Sequence, residues 1–149
     1  VSLIEKLRRA FRPQTINDPT FGRLLWFRGK PPHANYWEGQ TQVEINADKL
    51  WIEVFLDGEK TGISEDQRAF FPELFQRIPE LLEVIVERAR TRPQAGGVTV
   101  GGLKTRWVAL PCDPFKVACE VGFDIEGTPN IHVVATLLGW HVSKVEVED

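Results

Sequence analysis

SEDQRAFFPELFQRIPELLEVIVERARTR, residues 64–92, is the one long segment of the chain with an apolar rhythm of 3.6 residues. Phe70, Phe71, Leu74, Phe75, Ile78, Leu81, Leu82, Ile85 and Ala89 recur three to four positions apart, the spacing of a helix laid on a sheet. Ser64 suits an N-cap, Gln67 completes a capping box with it, and Glu65 and Asp66 put negative charge where the helix dipole favours it. Pro72 and Pro79 interrupt the pattern. An interior proline removes an amide donor and costs about 3 kcal/mol, and proline followed by glutamate also reads as a helix start. The expectation is two helical pieces, 65–77 and 79–91, bent at Ile78-Pro79.

Strand-like sequence lies on both sides of this block. Upstream, Phe21–Phe27 is strand-like after the turn signal Asn17-Asp18-Pro19, and Gly29-Lys30-Pro31-Pro32 makes a loop. From Tyr36 to Ile45 the alternation puts Trp37, Thr41, Val43 and Ile45 on one face, against Glu38, Gln40, Gln42 and Glu44. In Leu50–Leu56, after the turn at residues 46–49, Leu50, Ile52, Val54 and Leu56 face the core. Trp51 and Phe55 flank Glu53 on the opposite face, which is unusually aromatic for a sheet surface in water. Downstream, strands are expected at Leu103–Leu110, Val117–Ile125, Ile131–Leu138 and Trp140–Val147, with Glu126 to Asn130 a turn and Gly139 a bend or bulge. Short turns between sequential strands, around one helical block, predict an α+β fold. It has a mostly antiparallel curved sheet of six or seven strands, the proline-broken helix packed on its concave face, and a short N-terminal helix.

Length and composition bound the rest. A chain of 149 residues is a single domain by size, able to bury about 70% of its unfolded surface. With 42% hydrophobic and 26% charged residues it has an ordinary globular composition, and a net charge of −3 argues against nucleic acid. No apolar run approaches a membrane span and no secretory signal is visible. Two cysteines, Cys112 and Cys119, fit no metal motif and suit a reducing, cytoplasmic compartment.

At the N-terminus, residues 1–12 form an amphipathic helix on paper. Leu3, Ile4, Leu7 and Phe11 share one arc, with Lys6, Arg8, Arg9 and Arg12 opposite. It is read as a helix docked on its own domain, covering Trp51 and Phe55; the alternative is a peripheral membrane or partner-docking element acting through Arg8, Arg9 and Arg12.

Catalytic signals are sparse. The glycine-rich stretch at residues 96–102 lacks the lysine and hydroxyl residue that a phosphate loop needs after its last glycine, and reads as a flexible loop. His33, His132 and His141 show no zinc spacing. Cys112 lies in a proline-bounded turn beside Asp113, whose charge would oppose thiolate formation. No metal or cofactor is implied and no catalytic residue is assigned. A small hydrolase-like enzyme working through His33, Cys112 or His141 is the rival to a binding protein.

Asp18-Pro19-Thr20-Phe21-Gly22-Arg23-Leu24, then Tyr36-Trp37-Glu38-Gly39, then Ile63-Ser64-Glu65-Asp66-Gln67 and Val121-Gly122-Phe123-Asp124 occur in this order. The series resembles small bacterial domains of unknown function with a D-P-x-F-G-x-L opening and a W-x-G strand, some relatives of which are regarded as immunity proteins of polymorphic toxin systems. The resemblance covers residues 17–147 and departs from the family at Pro72 and Pro79. It implies structural roles: Asp18 fixing a turn, Gly22 and Gly39 permitting close approach or a bulge, Trp37 filling the core. It carries over no catalytic residue. It implies a non-enzymatic, immunity-type domain that binds a protein partner. From the residues themselves, and with the N-terminal helix outside the resemblance, Trp51, Glu53, Phe55, Arg8, Arg9 and Arg12 are the candidate contact residues.

Overall fold

A computed structural model describes residues 2–4 and 14–149. The strands are β1 (Thr15–Asp18), β2 (Gly22–Phe27), β3 (Tyr36–Ile45) and β4 (Asp48–Asp57), followed by helix α1 (Glu65–Ala89). Two 3-10 turns, Pro93–Ala95 and Val100–Gly102, lead to β5 (Leu103–Leu110), β6 (Cys119–Ile125), β7 (Thr128–Leu138) and β8 (His141–Glu148). The strands form one open sheet in the order of the sequence, antiparallel throughout except for β4 and β5. That parallel pair is the only one the connections allow. A two-residue turn joins β3 to β4, whereas β4 reaches β5 through the whole of α1, as a parallel crossover requires.

Among the described residues the sheet has eight strands, one or two more than the alternation predicts. The addition is β1, four residues that the turn signal at Asn17-Asp18-Pro19 conceals and that pair with β2 from Thr15–Leu25 to Asp18–Gly22. Asp18 fixes the turn. Its buried carboxylate accepts the amides of Thr20 (2.9 Å) and Phe21 (3.2 Å) through Oδ2. Through Oδ1 it accepts Arg68 of α1 at 2.8 Å from Nε and 2.7 Å from Nη2. This pairing, chiefly the hydrogen bond itself, raises the pKa of Arg68 further above its ordinary value.

The helix corrects the sequence expectation. It is one element of 25 residues with Pro72 and Pro79 inside it, not two pieces. Two interior prolines cost about 6 kcal/mol together. Against this, Phe70, Phe71, Leu74, Phe75, Ile78, Leu82, Ile85 and Val86 are all buried. At about 1.5–3 kcal/mol each they contribute at least twice that cost. The prolines stand seven residues apart, so they fall on one side of α1. There, with Phe71, Phe75 and Gln76, they line a groove of about 710 Å³ against Val43, Glu44 and the Asn46-Ala47 turn. Both turn residues have positive φ (50° and 68°), the geometry that lets two strands close in two residues.

The capping box forms as expected: Ser64 Oγ accepts the amide of Gln67 (3.1 Å) and Gln67 Oε1 accepts that of Ser64 (3.0 Å). Gln67 is fully buried and its Nε2 donates to the carbonyls of Asp57 (2.9 Å) and Leu110 (3.3 Å), tying the helix start to the ends of both parallel strands. Along its length α1 meets Phe21 through Phe71 (4.7 Å between centroids) and Trp140 through Phe70 (4.5 Å, stacked). Near its end Arg88 Nη1 donates to the carbonyl of Val142 (2.6 Å). Trp37, Ile52, Val54, Leu74, Leu82, Ile85, Val121 and Phe123 are core, as the alternation and helical rhythm require.

The expected N-terminal helix over residues 1–12 falls outside the described residues apart from 2–4. Leu3 and Ile4 are 72% and 63% exposed, so neither is buried against the sheet as expected.

Candidate functional site

With α1 on one face, the other face of the sheet has no covering element among the described residues. Period-two alternation sends Phe27, Tyr36 and Phe55 there, a bulge after Thr105 adds Trp107, and strand register brings the four into one row. Phe27 stacks on Tyr36 (5.5 Å, 18°), Tyr36 meets Phe55 at 6.4 Å, and Phe55 meets Trp107 edge-on at 6.3 Å and 81°. Trp51, beside this row on β4, is 66% exposed. Gly122 on β6 completes the row by having no side chain. A Cβ there would lie 2.1 Å from Trp107 Nε1, so the indole rests directly on the β6 backbone.

Two clefts open on this face. One, of about 630 Å³, lies between Arg23, Leu25, Phe27, Glu38, Trp51 and Glu53. The other, of about 600 Å³, is bounded by Glu53, Arg106, Trp107, Asp124 and His132. In it Asp124 Oδ1 is 3.0 Å from His132 Nδ1, and Asp124 Oδ2 is 3.9 Å from Arg106 Nε. The carboxyl of Asp57, the cross-strand partner of Tyr36, has its pKa raised by partial burial.

Trp51, Glu53 and Phe55 therefore share one exposed face and belong to one surface, whereas Arg8, Arg9 and Arg12 lie outside the described residues. Sequence reasoning missed Tyr36, Trp107 and the Asp124–His132 pair as parts of this surface. Strict alternation from Leu103 would turn Trp107 toward the core; a bulge between Thr105 and Trp107 reverses the phase. The histidine pair had a legible signal. A hairpin centred on residue 128 sets 124 opposite 132, the register observed.

Of the three residues of the enzymatic alternative, His33 lines a cleft of about 350 Å³ with Asp57 and Pro111, the residue before Cys112. No hydrogen bond joins His33, Cys112 and His141. Cys112 Sγ donates to the carbonyl of Asp57 (3.1 Å), and the carbonyl of Cys112 accepts from Ser64 Oγ (2.7 Å), which makes Cys112 part of the helix-start junction. Its pKa is raised by burial first and then by the charges of Asp57 and Glu59, which disfavours the nucleophilic thiolate. Burial pushes the thiol of Cys119, in the core, up to about 12. Among the described residues no group of histidines, cysteines and carboxylates could hold a metal ion, and no helix is long and apolar enough to cross a membrane.

No family model matches the chain, and no curated protein or solved structure shows significant similarity to it.

Proposed function

We propose that the chain is a non-enzymatic protein-binding domain of the immunity type, which blocks a toxin-like partner by docking it on the uncovered face of the sheet. The observation that carries this reading is the continuous row Phe27–Tyr36–Phe55–Trp107 with Trp51 exposed beside it. Rigid aromatic side chains on a fixed sheet supply large contact area at little entropic cost, and tryptophan and tyrosine dominate the energetic centres of protein interfaces. Eight strands at about 4.8 Å spacing, with roughly 25 Å of strand length, present on the order of 800 Å², the share one partner contributes to a standard interface. The resemblance of the Asp18–Leu24 and Tyr36–Gly39 motifs to domains with immunity-type relatives points the same way.

The test is co-expression with a toxin encoded beside this chain, scored by growth and by co-purification. Trp51→Glu and Phe55→Ala, each checked for an unchanged melting temperature, are expected to lose both the complex and the protection. Variants that stay folded and still protect would remove the aromatic face from the mechanism.

A further inference from the structure

Phe55 lies near the middle of the uncovered face, and carboxylates surround it. Glu38 is its direct partner on β3, Glu53 and Asp57 stand two residues away on β4, and Glu120 lies beyond Ala109 on β6. None of these four has a basic group within 4 Å among the described residues, although Lys144, in the same cross-strand row as Glu120, lies near enough to feel its charge. Other carboxylates of the same face do, Asp124 with Arg106 and Glu146 with Lys144. Arg23, which lines one cleft with Gln40 and Glu53, also makes no ion pair among the described residues.

Placement of these groups decides what can cover the aromatic row. A surface that excludes water from Phe55 also strips water from Glu38 and Glu53, its immediate neighbours. Buried without a counter-charge, carboxylates oppose association, and an acidic or nucleic-acid surface would add repulsion. Cations reverse both effects. A guanidinium or ammonium group can sit over the face of Tyr36, Phe55 or Trp107 and pair with the carboxylates between the rings.

Building on the protein-binding reading, we infer that the partner is basic where it meets this face, presenting arginine or lysine side chains that seat on the aromatic row between Glu38, Glu53, Asp57 and Glu120. The raised pKa of Asp57 accords with a carboxylate already partly stripped of water and without a cation.

The experiment titrates a nona-arginine peptide into the full chain at low salt and follows tryptophan fluorescence, with Trp51 and Trp107 as reporters. Glu38→Gln/Glu53→Gln is compared with Glu83→Gln/Glu87→Gln, which removes the same charge from exposed positions of α1. Saturable binding is expected, weakened at least tenfold by the first pair and less than twofold by the second, with melting temperatures unchanged. Equal weakening by both pairs would mean attraction to bulk charge alone and overturn the inference, as would the absence of saturable binding. If binding appears only after Arg8→Gln/Arg9→Gln/Arg12→Gln, the occupant is the chain's own basic segment and the separate basic partner falls. The two readings fail separately. A toxin complex that Trp51→Glu breaks and Glu38→Gln/Glu53→Gln leaves intact keeps the protein-binding function and discards the basic partner.

Discussion

Gly122→Ala should destabilise the protein, although glycine in a strand interior is normally a weak point. Replacing such a glycine by alanine ordinarily gains about 0.5–1 kcal/mol through backbone entropy. Here the new Cβ would stand 2.1 Å, 2.2 Å and 2.7 Å from Nε1, Cε2 and Cδ1 of Trp107. Ordinary contact between such atoms needs about 3.5 Å or more, so the indole must swing off β6. A tryptophan buries about 200 Å²; uncovering roughly 60–80 Å² of it costs about 1.5–2 kcal/mol at 25 cal/mol per Å². The net loss is about 0.5–1.5 kcal/mol, or roughly 1–5 °C in melting temperature at this size. Urea denaturation followed by fluorescence measures it, with a red shift of the native emission as Trp107 meets water. The same substitution in a Trp107→Ala background removes the clash and should stabilise. If Gly122→Ala stabilises both backgrounds equally, the indole does not rest on β6 and the floor of the aromatic row is wrongly described.

Leu82→Ala or Ile85→Ala should cost about 2–5 kcal/mol, since both side chains are buried on the sheet side of α1; a loss under half a kcal/mol at both in chemical denaturation would show the helix face misassigned. Asp57→Asn should raise stability at neutral pH. The folded-state pKa of Asp57 lies above its ordinary 3.8, so folding disfavours the charged form, and the gain is present above the raised pKa and vanishes as pH falls below 3.8. Melting curves of the two proteins from pH 3 to pH 7 check this, and a gain that persists in acid would assign it to another cause.

Much of this was legible in the sequence where one local rule decides. Period two placed Trp37, Ile52 and Val54 inward and Trp51, Glu53 and Phe55 outward, and the helical rhythm selected Leu74, Leu82 and Ile85. Misreadings arose where a local rule met a non-local force. The prolines of α1 predict a break, but the apolar surface the helix buries outweighs two missing amides. The bulge at Arg106 reverses the face of Trp107, and nothing in residues 103–110 announces a phase change. β1 was hidden because its pairing with β2 is imposed by the Asp18 turn and the ion pair to Arg68, a residue fifty positions away. The aromatic face was half visible: its β4 members follow from alternation, but its continuity from Phe27 to Trp107 depends on the register of four strands.

The two prolines of α1 also bear on hydration. Neither Pro72 nor Pro79 has an amide hydrogen to offer the carbonyl four residues before it, so Arg68 and Phe75 each keep a backbone oxygen without its usual helical donor. Both prolines face the groove shared with Val43, Glu44 and the Asn46-Ala47 turn, whose volume of about 710 Å³ admits water. A polar backbone atom near the core must find a donor somewhere, and Phe75 lines this groove, where solvent can supply one. The helix that closes one face of the sheet is therefore dry along the core and wet along a strip its own prolines create.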